Sequence, residues 1–393
     1  MYNRFIKVNI VPKLLLTGFI GILLFACHKG RSDGKEIIKL GVVLPLTGPP
    51  AAAGIEMFNS VKLAVEEWNS AARIPGYKIV AEAKDDAADP KQAVASAHSL
   101  MSDSRVYAVV AHLNSGCFLP ASRIYHDYGV AAMSGAATNP EITLQGYPEI
   151  FRICTTDLVQ GQLIVPYLLE SGTEKMAIIH DKTQYGQGLA EVVKKAAQKS
   201  KIKIVSFDGI NVGDKDFKAI LTRIKDLDPD TIYFGGMYDE AGLIVRQMRD
   251  LGMKQRFTSD DGVFGKDFVD AGGREACEGS LISMVGVPIN DLTAAREYIN
   301  NYQKEFGVEV QNYGPYAYDV ANILLTAISR VIEREGKPKR KAIINELKTI
   351  KYKGVIGETS FDKNGDTNLK VITIYRVENG KFKPVKTQAW RNL

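Results

Sequence analysis

The sequence lacks the short motifs that usually accompany catalysis. It has no Gly-x-Ser-x-Gly nucleophile elbow and no phosphate-binding Lys motif, so neither a hydrolase of that type nor a nucleotide triphosphatase is indicated. No pair of histidines has the close helical spacing of a zinc site, among His28, His98, His112, His126 and His180. We therefore expect no enzyme, no catalytic residue, no metal and no cofactor, with a Rossmann-like enzyme kept as a remote alternative.

The sequence also lacks a large excess of one charge and, after residue 27, an even number of cysteines. Lys and Arg number 50 against 45 Asp and Glu, and no basic run appears, which argues against nucleic-acid binding. The sequence has four cysteines, and three of them follow residue 27: Cys117, Cys154 and Cys277. An odd number of cysteines cannot all pair with one another.

The apolar run near the N-terminus is too short for a comfortable membrane span. Residues 14–26 follow three basic residues and end at Cys27, a pattern typical of a secretory leader. This cysteine resembles that of a bacterial lipoprotein box, which receives lipid and becomes the mature N-terminus. We expect residues 1–26 to be a signal peptide, Cys27 to be lipidated and residues 27–36 to form a tether. A plain leader or an uncleaved anchor is the alternative.

What the sequence does have is a regular alternation of strand and helix patterns. Residues 37–46 and 77–84 predict strands, and residues 55–68 between them carry apolar residues at helical spacing. The capping-box pattern of residues 89–92 indicates the next helix start. The alternation continues to residue 287, which predicts an α/β fold with parallel sheets covered on both faces.

The last quarter of the chain departs from this alternation. Helical patterns follow one another without strands at residues 292–306, 316–335 and 341–349. We expect these helices to return and cover the first sheet. A strand is predicted at residues 355–361, and the Asn379-Gly380 turn between residues 370–377 and 381–386 predicts a hairpin.

Two strand-to-loop-to-helix turns follow in immediate succession in residues 109–143. The first apolar run ends at Asn114 and Ser115, and the second ends in a loop that contains Ala136 and Thr138. In open parallel sheets ligands bind at such carboxyl ends, and the N–H groups of the following helix favour an anion. We interpret the two hydroxyls and the N–H groups near Ala136 as a cradle for a carboxylate. The alternative is that both hydroxyls only cap helices.

Two further stretches resemble known binding motifs only in part. The stretch Gly186-Gln187-Gly188 lacks the third glycine of a dinucleotide-binding turn, because Glu191 stands in its place. Residues 362–366 have neither the glycine spacing nor the closing Glu of a calcium loop, so a polar turn is the better interpretation.

Several stretches together are similar to one family. They are DDAADPKQAV (85–94), HLNSGCFLPAS (112–122), SGAATNPEIT (134–143), HDKTQYGQGLA (180–190) and FDKNGD (361–366). In this order they resemble the leucine/isoleucine/valine-binding proteins, the periplasmic substrate receptors of ABC importers, over nearly all of the chain after the leader. The resemblance implies a type I periplasmic-binding-protein fold with two Rossmann-like lobes and hinge crossovers near Thr156, Gly286 and Ile374.

The resemblance also implies how the chain divides. The expected lobes are residues 37–156 with 287–374, and residues 157–286 with 375–393. Three connections form a hinge that suits closure around a ligand. The usual disulfide of the first lobe would need cysteines in place of Ala88 and Asn114, and both are missing, so the three cysteines after the leader are expected to be free and mostly buried.

Carried onto this sequence, the resemblance places binding residues on the second lobe as well. Asp261 would receive the ammonium group of the ligand, with Asp260 as the alternative, and Tyr185 would pack on the ligand side chain. Two family tyrosines are replaced here by Ala53 and Met237. We therefore expect a wider pocket than the family norm, with soft apolar contact from Met237.

The function that the resemblance implies is capture of an amino acid, branched-chain or similarly apolar, for an ABC importer. The expected partners are the permease and ATPase, and the protein is expected to be a monomer anchored by lipid at the periplasmic face of a membrane. Alternatives are the same fold binding an amide, urea-like or aromatic acid ligand as a receptor or sensor, and a purely structural surface lipoprotein.

Overall fold

The computed structural model describes residues 35–390. The predicted signal peptide, the lipidation site Cys27 and residues 28–34 of the tether lie outside this range. The strands within it are β1 (Glu36–Leu44), β2 (Tyr77–Asp85), β3 (Val106–Ala111), β4 (Ala131–Ser134), β5 (Ile150–Arg152), β6 (Lys175–His180), β7 (Lys203–Gly209), β8 (Thr231–Gly235), β9 (Arg256–Ser259), β10 (Leu281–Val285), β11 (Tyr352–Gly354), β12 (Gly357–Thr359), β13 (Val371–Glu378) and β14 (Lys381–Ala389).

The helices in the same range are α1 (Ala51–Ser70), α2 (Pro90–Met101), α3 (Ser115–Asp127), α4 (Glu141–Leu144), α5 (Asp157–Glu170), α6 (Gln184–Lys199), α7 (Lys218–Asp226), α8 (Tyr238–Asp250), α9 (Lys266–Gly272), α10 (Arg274–Cys277), α11 (Arg296–Phe306), α12 (Gly314–Glu335) and α13 (Arg340–Leu347). None of these helices combines the length and the apolarity that a membrane crossing needs. The predicted capping box is present, since Asp89 accepts the Gln92 N–H at the start of α2.

Five parallel strands form the first sheet, in the order β2-β1-β3-β4-β5. β1 lies between β2 and β3, so that Leu40 pairs with Ala81 on one side and with Ala108 on the other. Val42 and Val110 are fully buried, as expected for strands that helices cover on both faces. The predicted α/β fold with parallel strands is confirmed.

The second sheet contains seven strands, in the order β14-β13-β10-β9-β8-β6-β7. β6 to β10 pair in parallel, whereas β13 runs antiparallel to β10 and to β14. β13 and β14 form the predicted hairpin, and Asn379 and Gly380 at its turn have positive φ angles of 55° and 72°, as a type I′ turn requires. Each sheet with the helices that pack on it is called a lobe below.

The chain passes between the sheets after β5, after β10 and before β13. Gly286, directly after β10, has a φ of 82°, and a Cβ added there would lie 2.1 Å from the Tyr316 hydroxyl, so a side chain is excluded at this crossover. Because β13 belongs wholly to the second sheet, the third passage precedes Val371. The passage was expected near Ile374, a residue that itself lies within β13.

The three C-terminal helices return to the first sheet, as predicted. α12 packs along α1 and contacts β3, while α11 contacts α1 and α13 contacts β4. Across the α1–α12 contact the Trp68 indole donates to Asn322 Oδ1 at 2.7 Å. The strand predicted at residues 355–361 is instead the short β11–β12 hairpin, whose N–H groups at Val355 and Ile356 donate to the buried Asp319 carboxylate.

The three cysteines within residues 35–390 are buried and free, as expected. Burial raises the pKa of the Cys117 and Cys154 thiols well above the usual range and that of Cys277 to about 12. All three thiols therefore stay protonated at neutral pH, which suits packing rather than redox chemistry.

Candidate functional site

The loops that follow β3 and β4 lie side by side at the carboxyl ends of their strands. Ser115 is the first residue of α3, and its Oγ accepts the Asn139 N–H at 3.3 Å from the neighbouring loop. Thr138 Oγ1 is buried and forms no hydrogen bond of normal geometry, but it lies close enough to the Asp157 carboxylate to oppose the rise of that acid's pKa. Neither hydroxyl caps a helix, because Asn114 is the N-cap of α3 and Pro140 that of α4. The capping alternative is therefore wrong for both residues.

Ser134 holds the second loop at the end of β4. Its hydroxyl donates to the His112 carbonyl at 2.8 Å and accepts the N–H groups of Ala136 and Ala137 at 3.1 and 2.9 Å. The N–H of Ala136, which the sequence assigned to the ligand, is thus satisfied inside the protein because the loop folds back on Ser134. The role of this N–H group towards a ligand stays a prediction.

Arg152 fixes the same loop from the end of β5. Its guanidinium is 0% exposed and donates to the carbonyl oxygens of Ala137 and Asn139 at 3.1 and 2.7 Å. It also pairs with Asp366 at 2.6 Å. Asp366 ends the turn of residues 362–366, whose N–H groups bind a carboxylate of the same turn. This turn is polar, as predicted, and supports the loop.

The opposite wall is built around Asp261, which follows β9 in a short 3-10 turn. Asp261 Oδ1 accepts the side-chain amide of Gln160 at 2.7 Å and the Tyr185 hydroxyl at 3.1 Å. Its Oδ2 accepts the Tyr313 hydroxyl at 3.1 Å. Burial raises the pKa of Asp261, although these three donors oppose the shift.

The neighbouring Asp260 faces the interior of the second lobe. Its carboxylate accepts the hydroxyls of Tyr233 on β8 and Ser283 on β10, and burial raises its pKa to about 7. Asp260 has an extended backbone, so successive side chains point to opposite sides. Of the two acids, only Asp261 is part of the cavity wall.

A narrow cavity of about 20 Å³ lies between the two walls. Six of the eight predicted residues line it: Asn114, Ser115, Ala136, Tyr185, Met237 and Asp261. Ala53 lines a neighbouring cavity of about 30 Å³, and Thr138 lines neither of the two. The first space has room for about one water molecule. Tyr185 and Tyr313 also line this space, and the expectation of a wider pocket stays a prediction.

Hydrogen bonds across the cleft hold the walls together. The Asn139 side-chain amide donates to the Gln184 carbonyl at 2.8 Å, and the Tyr238 hydroxyl donates to the Pro49 carbonyl at 3.0 Å. The contact between Tyr313 and Asp261 is a third link. The lobes are thus closed on one another, which accounts for the small cavity.

The two glycines near the start of α6 serve packing. A Cβ at Gly186 would lie 2.4 Å from the Gly235 carbonyl oxygen, and one at Gly188 would lie 2.8 Å from the Asn139 amide nitrogen. Because neither glycine carries a Cβ, α6 can lie close to β8 and to the first lobe. This close packing accounts for both glycines, so no dinucleotide-binding role is needed to explain them. Within residues 35–390, no three His, Cys, Asp or Glu side chains are arranged to hold a metal ion.

Sequence reasoning missed Asp157, Gln160 and Tyr313. Gln160 Nε2 donates to Asp157 Oδ1 at 3.2 Å as well as to Asp261. Burial raises the pKa of the fully buried Asp157 to about 8, and the charge of Asp261 adds to the shift. The spacing of Asp157 and Gln160 puts both side chains on one helix face, and this pattern could have indicated from the sequence that they act together. No comparable pattern in the sequence indicated Tyr313.

Comparison with known proteins gives concordant findings. The family model described as periplasmic binding protein matches residues 37–381. A Leu/Ile/Val-binding protein homolog of Brucella suis is 34% identical over 365 residues, which cover 93% of this chain and 96% of that protein.

Two solved structures are also similar. A leucine binding protein LivK from Thermotoga maritima has a TM-score of 0.81 and 27% identity, covering 89% of this chain and 98% of its own. The second is the branched-chain amino acid transporter substrate binding protein LivJ from Streptococcus pneumoniae, in complex with isoleucine. Its TM-score is 0.80 and its identity 28%, and the match covers 90% of this chain and 99% of the LivJ chain.

Proposed function

Because the chain belongs to the periplasmic binding protein family and has its two-lobed type I fold, we propose that it captures a branched-chain or similarly apolar amino acid for an ABC importer. One observation carries this proposal: Ser115 of the first lobe and Asp261 of the second line the same buried cavity. An amino acid carries a carboxylate and an ammonium group that suit these two walls. The role is binding and delivery, with no catalytic step.

The first lobe would bind the ligand carboxylate. Ser115 and Thr138 each supply a buried hydroxyl. Arg152 holds the Ala137 carbonyl, and in a trans peptide the next N–H points the opposite way, so the Thr138 N–H is turned away from Arg152. Asn114, whose side-chain oxygen is buried and unpartnered, adds an amide to this wall.

The second lobe would bind the rest of the ligand. Asp261 is the acidic group that lines the cavity and suits an ammonium group, while Tyr185 and Met237 provide apolar surface for the side chain. Ala53 lines the adjoining cavity, which shares Met237 and Asp261 with the first. An apolar side chain of moderate size would extend from one space into the other once the lobes have opened.

A thermal-shift and calorimetry panel of the amino acids, small amides, urea and benzoate tests the proposal. Leucine, isoleucine or valine at about 100 times its dissociation constant should add about 2.7 kcal/mol to the free energy of unfolding. Ser115→Ala should weaken leucine binding about tenfold, whereas the control Ser102→Ala, on the exposed end of α2, should not. A response to benzoate or amides alone would favour the alternative ligand class. If no compound changes the melting temperature, the proposed receptor function is contradicted.

We further propose that the protein is exported, anchored through lipid on Cys27 at the periplasmic face, and works as a monomer with a permease and ATPase. The apolar run of residues 14–26 that ends before Cys27 supports this. Cys27→Ser should leave the protein soluble or unprocessed in cell fractionation and mass spectrometry. Unchanged membrane association with an unchanged mass would contradict lipidation.

The proposed lobes follow the sheets. Residues 37–156 with 287–370 form the first lobe, and residues 157–286 with 371–390 form the second. This division keeps the whole of β13 in the second sheet. It leaves three connections across which the lobes would open and close.

A further inference from the structure

We infer that a second small-molecule site lies between the lobes, outside the cleft, and that it binds a hydrophobic amine: a molecule with an apolar or aromatic body and one ammonium group. The inference goes beyond the proposed function. It starts from a cavity of about 490 Å³ that residues of both lobes line. We call it the hinge cavity, because Val285 and Val287, on either side of the Gly286 crossover, line it. Small-molecule sites typically measure about 300–1,000 Å³ and often lie at domain interfaces.

Apolar side chains from both lobes form the walls of the hinge cavity. In the second lobe, the Tyr375 and Phe382 rings lie 4.5 and 4.6 Å from the Phe264 ring, measured between centroids. Ile289 and Leu292 line the cavity from the first lobe and are only half-buried. An apolar ligand body would cover this surface, and aromatic rings also attract a cation that lies over their faces.

Tyr375 supplies a polar group without a partner inside these walls. The residue is only 7% exposed, and within residues 35–390 its hydroxyl forms no hydrogen bond. Burial raises the pKa of Tyr375 well above the usual range, and the charge of Asp291 adds to the shift. Both residues line the hinge cavity. A buried polar group normally has a partner, and a ligand ammonium group would donate to the hydroxyl oxygen while it neutralises Asp291.

The rim of the hinge cavity carries excess negative charge. The charged side chains that line it are Lys266, Asp291 and Glu309, and all three are exposed. Lys266 is paired with Asp270, whereas neither Asp291 nor Glu309 forms an ion pair with a basic residue in the described part of the chain. The rim therefore attracts a cation and repels a carboxylate. It favours an amine over the zwitterion that the cleft would hold.

The hinge cavity is joined to the cleft through two shared segments. Phe264 directly follows the turn that carries Asp261, and its carbonyl accepts the side-chain amide of Asn312. Tyr313, the next residue, donates to Asp261 at 3.1 Å. The hinge cavity is present while the lobes are closed, so an amine that fills it would favour the closed form. Amine and leucine should therefore strengthen each other's binding by the same factor.

Two probes with the same body and opposite charges test the site by calorimetry. They are 4-phenylbutylamine and 5-phenylpentanoate. Wild-type protein should bind the amine about fivefold to tenfold more tightly than the acid, as charges on an exposed rim allow. Asp291→Asn should weaken amine binding about twofold to fivefold and leave binding of the acid unchanged or stronger. Asp250→Asn, at the exposed end of α8, is the matched control and should change neither.

Tyr375→Phe tests the buried hydroxyl and leucine tests the coupling. This variant keeps the ring and should weaken amine binding about tenfold, as expected for a hydrogen bond to a charged group. With wild-type protein at saturating leucine, the amine should still bind, with an affinity about fivefold higher. Leucine affinity measured at saturating amine should rise by the same factor.

Each other outcome contradicts a stated part of the inference. No amine binding, or equal binding of amine and acid, overturns the site. Displacement of the amine by leucine also overturns it, because the amine would then occupy the cleft. Equal weakening of both probes by Asp291→Asn would show that this acid only shapes the cavity. Amine affinity that leucine leaves unchanged overturns the coupling. Wild-type protein that binds the amine as expected but no amino acid contradicts the proposed function and leaves the second site intact.

Discussion

At the residue scale, Arg152 shows what a buried ion needs. A guanidinium taken out of water is tolerated only where its charge is paired and its donors are satisfied. Arg152 donates to Asp366, to the Thr143 hydroxyl and to two carbonyls of the loop that carries Thr138. The charge of Arg152 is therefore paired with Asp366, and the same side chain shapes the proposed carboxylate wall through the two loop carbonyls.

Replacing this arginine should destabilise the protein strongly. Arg152→Met leaves Asp366 as an uncompensated acid in a buried site, and losing one partner of a buried pair costs about 3–5 kcal/mol. Urea unfolding followed by circular dichroism measures the loss. Arg223→Met is the matched control, because its pair with Asp208 has an arginine that is 57% exposed and should contribute less than about 1 kcal/mol. Equal losses in the two variants would contradict the role assigned to burial.

At the element scale, the first turn of α5 combines the crossover with the site. Thr156 caps the helix by accepting the Val159 N–H, and Asp157 and Gln160 follow within that turn. The helix begins only a few residues after β5, where the chain leaves the first sheet. The first turn of α5 therefore places these two side chains beside the connection between the lobes.

Local sequence patterns predicted most elements, because burial and turn chemistry leave signals within a few residues. The apolar run of β3 and the Asn379-Gly380 turn are examples. The single strand predicted at residues 355–361 is instead part of the β11–β12 hairpin, and the residue at which the chain enters β13 left no local signal, because pairing with distant segments determines both. The same limit applies to the site: Gln160 and Asp261 are 101 residues apart and Tyr313 is 52 residues from Asp261, so their meeting leaves no local signal.

At the scale of the whole molecule, the two lobes are held closed by a small number of polar contacts. Asn139 and Tyr238 reach backbone carbonyls of the facing lobe, and Tyr313 reaches Asp261. Each such bond contributes about 0.5–1.5 kcal/mol net. These bonds therefore support closure only modestly, and a ligand with charged groups for both walls would favour the closed form further.

Removing one of these contacts should weaken ligand binding without changing a residue that lines the cavity between Ser115 and Asp261. Tyr238→Phe deletes the hydroxyl that reaches the Pro49 carbonyl, and a less populated closed form raises the apparent dissociation constant in proportion. We expect leucine affinity in calorimetry to fall by at most about tenfold, as the net contribution of one hydrogen bond implies. Small-angle scattering should give a larger radius of gyration for the unliganded variant and the wild-type value at saturating leucine. Tyr128→Phe, on the exposed end of α3, is the control, and identical behaviour of the two variants would show that the contact does not influence closure.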